Sequence, residues 1–214
     1  MIYEKNPMEI EVRSFEIIEE IIAERGRTFP TDDNVEKAIY KRVIHTSADF
    51  DYLDNLKIKP EFIKAFQESC TKKVTIYTDT NMALSGINKT AMRKCPWEIK
   101  CFVSSPETKK MAESFGITRS MASIKMALDE PGEKIFVIGN APTAIFQLLE
   151  CVSKTDERLI GVIGVPVGFV GAEESKLALY ESELPCIAAL GRKGGSNIAA
   201  AIVNALLYET VGRD

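Results

Sequence analysis

Along the first third of this chain, apolar residues recur at three- and four-residue steps, the period of a helix with one buried face. Ile10, Phe15, Ile17, Ile18, Ile21 and Ile22 mark such a face over residues 7–25, and Gly26 supplies a stop. A second helix is predicted within "TDDNVEKAIYKRVIHTSAD", where cap-forming residues precede Val35, Ile39, Val43 and Ile44. A third, short and amphipathic, covers residues 60–70. After that the pattern changes. "KKVTIYTD" (72–79), "EIKCFVSS" (98–105), "EKIFVIGN" (133–140), "RLIGVIGV" (158–165) and "LPCIAALG" (184–191) are short, β-branched apolar runs separated by helical stretches. This alternation predicts an α/β fold in which five mainly parallel strands are covered on both faces, in one domain over residues 1–214, with a helical N-terminal segment. Periodicity does not give the strand order.

In sheets of this kind, functional groups gather beyond the carboxyl ends of the strands. Those ends here carry Asp79, Thr80 and Asn81, then Ser104 and Ser105, then "GNAPT" (139–143), "GVPVG" (164–168) and "GRKGGS" (191–196). Nearly all are small, polar or glycine, which predicts a crevice where backbone amides approach a ligand closely. "GNAPTA" reads either as amides at a helix start holding an anion or as a plain tight connection with Pro142 in the first turn. It is neither GxGxxG nor a P-loop. Arg192 and Lys193, beside Gly194 and Gly195, suit a carboxylate or phosphate. Arg119 stands near a helix start, where the helix dipole does not favour a cation.

Composition narrows the field. Of 214 residues, 45% are apolar and 27% charged, ordinary for a globular protein, and the formal net charge of −4 argues against a nucleic-acid partner. The charged N-terminal stretch lacks the apolar segment of a signal peptide, and no apolar run is long enough for a membrane span. The five cysteines form no CxxC pair and only one histidine is present, so a metal site is not expected. An odd number of cysteines, mostly in apolar stretches, predicts reduced thiols in a cytoplasmic protein.

The single histidine, His45, lies at or just beyond the end of the second predicted helix, in "VIHTSADFD". It is the one side chain whose ordinary pKa suits proton exchange near neutrality. Asp49 and Asp51 could orient it, or could be solvated loop acids.

Taken together, "RSFEII" (13–18), "VIHTSADFD" (43–51), "GITRSMA" (116–122), "IGNAPTAIFQLLE" (138–150), "GVPVGFVGAEESK" (164–176) and "GRKGGSNIAAAIVNAL" (191–206) resemble the precorrin-8X methylmutase family, also called precorrin isomerase or cobalt-precorrin-8 methylmutase. The likeness runs from about residue 7 to residue 206. It implies a flavodoxin-like three-layer α/β/α fold, a homodimer, and a late step of cobalamin biosynthesis. In that step a methyl group moves from C-11 to C-12 of a tetrapyrrole within one molecule, so no donor or cofactor is required; cobalt, if any, arrives inside the substrate. The family's catalytic histidine corresponds to His45 in "IHT". The substrate bears many carboxylates, which makes Arg13, Arg119, Arg192 and Lys193 the expected cationic contacts. Gly194 and Gly195 offer backbone amides, and Ser14, Thr46 and Ser85 offer hydroxyls. One departure stands out: family members often carry a basic run after "MALSGI", where this chain reads Asn88, Lys89, Thr90 and Ala91. Two other functions compete: a non-catalytic tetrapyrrole carrier using the same slot, and a nucleotide-dependent transferase on a doubly wound fold, the latter from fold analogy alone.

Overall fold

The first two helices start where the sequence supplies caps. The computed structural model describes residues 5–152 and 158–213, so the first four residues of the charged N-terminal stretch lie outside it. Helix α1 (Pro7–Glu24) begins with Asn6 accepting from the Met8 amide and Pro7 in the first turn. Helix α2 (Asn34–Ser47) begins with Asp33 accepting from the Glu36 amide and ends at Ala48, whose φ of 54° turns the chain sharply. After α3 (Tyr52–Asn55) and β1 (Leu56–Ile58) comes α4 (Pro60–Ser69), the predicted short helix. The second half alternates: β2 (Val74–Thr78), α5 (Asn81–Gly86), α6 (Lys89–Met92), β3 (Trp97–Lys100), α7 (Pro106–Phe115), α8 (Arg119–Asp129), β4 (Glu133–Ile138), α9 (Pro142–Cys151), β5 (Leu159–Gly164), α10 (Ala172–Glu181), β6 (Cys186–Ala189) and α11 (Ser196–Val211).

The sheet has six strands in the order β1-β6-β5-β4-β2-β3, not the five expected. The five expected strands are present and mutually parallel. The addition, β1, is three residues long and pairs antiparallel with β6, Leu56 opposite Ala189 and Ile58 opposite Ile187. Three residues before Lys59 and Pro60 are too few to show a period of two, which is why the pattern does not reveal it.

Alternate residues of each central strand feed two cores. On one face Ile76, Ile135, Val137, Ile163 and Ile187 pack with α1, α2, α4 and α11 residues such as Ile22, Ile44, Phe66 and Leu206. On the other, Tyr77, Phe136, Ile138 and Val162 pack with Ile124, Ile145, Leu148 and Leu179 from α8, α9 and α10. Helices thus cover both faces, as parallel strands require.

The strand order reverses between β2 and β4, the place where doubly wound sheets leave a ligand crevice. Here that crevice is filled by the chain itself. The Asp79 carboxylate, at the end of β2, accepts from the Gly139, Asn140 and Ala141 amides at 2.8–2.9 Å. A Cβ at position 139 would lie 2.7 Å from the Ser196 Cα, so only glycine lets the start of α11 seat against β4. The Thr80 and Ser196 hydroxyls, 2.7 Å apart, complete the closure. Of the two readings of "GNAPTA", the tight connection holds, with an internal carboxylate in the anion position. This seal is the physical argument against the nucleotide-dependent transferase.

Candidate functional site

With the central crevice closed, the opening beside the histidine lies one helix further along, where α2 and α5 meet α11. His45 occupies the last turn of α2 and is exposed at the surface. The Phe15 ring of α1 meets its imidazole edge-on, with centroids 5.6 Å apart and planes 82° apart. One turn earlier on the same face of α2 is Arg42. Its guanidinium pairs with Glu11 and lies over the rings of Phe15, at 5.3 Å, and Tyr208, at 4.7 Å. Burial lowers the His45 pKa from its ordinary value, and the neighbouring Arg42 charge lowers it further. Both effects favour the neutral imidazole.

The opposite wall comes from α11. Asn197, Ala200, Ala201 and Asn204 recur at i, i+3, i+4 and i+7, so they share one stripe. The stripe is cut from small residues for a reason: a Cβ on Gly86, the last residue of α5, would stand 2.8 Å from the Ala200 Cβ. Asn204 ties the same junction, donating to the Gly86 carbonyl at 2.9 Å and accepting from the Asn88 amide at 2.7 Å. With Thr46 and His45 these residues enclose an open cavity of about 230 Å³. That is below the ~300–1,000 Å³ that encloses a drug-sized ligand, and a tetrapyrrole is larger than a drug.

The predicted residues scatter around this cavity. His45 and Thr46 line it, and Ser85 is exposed next to Gly86. Ser14 donates to the Ile10 carbonyl within α1. Arg13 pairs with Glu16 at 3.0 Å and Glu20 at 3.1 Å, on the side of α1 away from the α2-facing Glu11 and Phe15, and does not line the cavity. Arg119 borders a separate depression of about 320 Å³ between α7 and α8. Arg192 reaches Glu173 at 3.9 Å and lies over the exposed Phe169 ring.

Lys193, an expected cationic contact, is paired within the chain. Its ammonium is held by Asp49 at 2.5 Å and Asp51 at 2.6 Å. Hydrogen bonds from both carboxylates push its pKa up to about 12. Burial alone would raise the Asp49 pKa, but the bonds from Lys193 and the Asp51 amide hold it below the ordinary value. These two aspartates therefore answer Lys193, not His45. Gly194 and Gly195 have structural roles here: a Cβ at 194 would lie 2.1 Å from the Val165 carbonyl oxygen, and the Gly195 amide donates to that same oxygen at 2.8 Å. Lys89, the residual cation in the departure from the family pattern, is likewise committed, donating to the carbonyls of Leu84 and, at 2.7 Å, of Ile87.

Sequence reading missed Arg42, Asn197 and Asn204. Arg42 was detectable as the i−3 neighbour of His45, and the amide stripe as polar breaks at seven-residue spacing in the otherwise apolar α11. Among the described residues no group of three or more His, Cys, Asp and Glu could hold a metal ion, and no helix is long and apolar enough to cross a membrane. All five cysteines are free thiols.

A mostly parallel sheet covered by helices on both faces, with a lone imidazole at a helix-walled cavity, marks an α/β protein with a candidate proton-transferring site. The comparisons agree on its family. The precorrin-8X methylmutase family model matches residues 9–209, and the chain belongs to that family. It is similar to the cobalt-precorrin-8 methylmutase of Salmonella typhimurium, 50% identical over 97% of this chain and 98% of that one. It is also similar to the precorrin-8X methylmutase of a Sinorhizobium species, 32% identical over 91% of this chain and 90% of the other. The crystal structure of the precorrin-8X methylmutase from Thermus thermophilus superposes with a TM-score of 0.81 at 29% identity, covering 94% of this chain and 96% of that one.

Proposed function

We propose that this chain moves a methyl group from C-11 to C-12 of precorrin-8 or its cobalt complex, giving hydrogenobyrinic or cobyrinic acid, with His45 as the proton-transferring group. The observation that carries this reading is the position of the only imidazole at the mouth of the α2–α11 cavity. The bond from methyl to C-11 breaks as the bond to C-12 forms, so no donor enters or leaves. A proton at a ring nitrogen shifts electron density around the macrocycle. His45 exchanges that proton as donor or acceptor, and a group so placed supplies ~10²–10⁴ in rate. The rest comes from holding the ring in one orientation and tautomer. Thr46 and Ser85, with Ser14 and the cations Arg13, Arg119 and Arg192, are proposed contacts for the substrate's polar rim. Lys193 would contribute only where its aspartates share it. No cofactor is required, cobalt being part of the substrate.

The parallel strands alone run in the flavodoxin-like order 2-1-3-4-5, which supports that reading of the fold. Free thiols suit a reducing cytoplasm. The incomplete cavity and the exposed apolar residues Met8, Ile10, Val12 and Ile17 of α1 support a homodimer that finishes the site. Sedimentation at micromolar concentration should give twice 23.8 kDa, and a species of 23.8 kDa alone would count against it.

The function is tested by incubating purified chain with metal-free precorrin-8 and, separately, with its cobalt complex. Conversion with no added S-adenosylmethionine is the expected result, followed by the change in visible absorbance. Tight binding without conversion of either substrate would make the protein a carrier instead.

A further inference from the structure

Three polar side chains on the cavity wall make no hydrogen bond within the described chain: His45, Thr46 and Asn197. The others are committed. Arg42 is held by Glu11 and two rings, and the Asn204 amide is used at both ends. Asn197 lines the cavity from α11, with His45 on the α2 side, and its sequence neighbourhood makes room for it. A Cβ on Gly195 would stand 2.6 Å from the Asn197 Oδ1, so any residue but glycine there would displace the carboxamide. Gly195, at a φ of 135°, caps α11 without a side-chain acceptor of its own. The carboxamide oxygen stands on the Gly195 side, and Nδ2 is the group of Asn197 that can donate to a carboxylate.

We infer that Asn197 is a substrate-positioning residue: its Nδ2 donates to a peripheral carboxylate of the macrocycle and fixes which ring edge meets His45. This rests on the proposed function and adds the group that sets orientation. A neutral donor fits the place. Arg42 is the only charged residue lining the cavity, and a second cation would depress the imidazole further. An amide binds the carboxylate without that effect.

The test compares Asn197→Ala and Asn197→Asp with the wild-type full chain. Asn197 is exposed in the first turn of α11, where an aspartate is favoured by the helix dipole, so Asn197→Asp is expected to fold. Product binding is read by titrating hydrogenobyrinic acid, and turnover with metal-free precorrin-8. Asn197→Ala should weaken binding and raise KM about tenfold, with kcat within about threefold, the loss of one charge-assisted hydrogen bond. Asn197→Asp should weaken binding further, by repulsion. In the free enzyme it should also move the NMR titration midpoint of His45 upward, an unambiguous signal because the chain has one histidine. The acid limb of kcat/KM should follow. That shift reports that the two side chains are close; a purely structural Asn197 would instead lower stability and kcat without the selective rise in KM. Binding and KM within twofold of wild type in Asn197→Ala, or an unmoved midpoint in Asn197→Asp, overturns the inference. A wild-type chain that binds product but does not isomerise sinks the proposed reaction, while the binding comparison still decides Asn197. A wild-type chain that does neither sinks both.

Discussion

Replacing His45 with alanine should reduce methyl migration by at least 10²-fold while leaving corrinoid product binding within a few-fold of wild type. The first half follows from the chemistry: among the residues lining the cavity, no other side chain exchanges a proton near neutrality. The second half follows from the geometry. His45 is exposed, packs through one ring edge against Phe15, and holds no hydrogen bond that the fold depends on. Truncation therefore leaves a small open space and a melting temperature close to wild type. Single-turnover kinetics with metal-free precorrin-8, beside a product titration, separates the two. Migration at the wild-type rate would remove His45 from the mechanism. Loss of product binding in step with rate would make it a binding residue only.

Asp79→Ala should have the largest effect on stability. The wild-type carboxylate is 4% exposed and serves three backbone amides at once. Burial pushes its carboxyl upward and the three amide donors oppose that. Alanine leaves the buried Gly139 and Ala141 N–H groups and the part-buried Asn140 N–H without their partner, at ~1–3 kcal/mol for each buried group, so a loss of about 4 kcal/mol is expected. For a chain of this length that lowers the melting temperature by about 10 °C. Asp79→Asn should fall between, because its NH₂ meets amide donors with a donor. Urea unfolding of the three proteins measures this. A loss below about 1 kcal/mol for alanine would mean that water or a shifted loop replaces the carboxylate.

The layout of the fold was legible because its signal is periodic and local. Five strands and the first two helices announce themselves through Ile, Val and Phe spacing, and α2 through the Asp33 cap. Strand β1 was not, because Leu56–Ile58 is shorter than the period needed to see it. The site was legible in part. His45 stands out as the sole imidazole, and the family motifs fix its neighbours along the chain. What the sequence could not show is which cation answers which acid. Lys193 is 144 residues from Asp49 and Asp79 is 60 from Gly139, pairings made by tertiary contact alone. The amino groups that look free in the sequence are the ones the fold has claimed.

The bridge from Lys193 to Asp49 and Asp51 has a consequence for how a ligand is met. Its ammonium ties the turn after α2 to the segment before α11, while its carbonyl accepts from Lys176, buried beneath, at 2.7 Å. Both walls that flank His45 are thus cross-braced before any guest arrives. An incoming macrocycle meets a scaffold that has already lost its freedom, and less of its affinity is consumed in ordering the host.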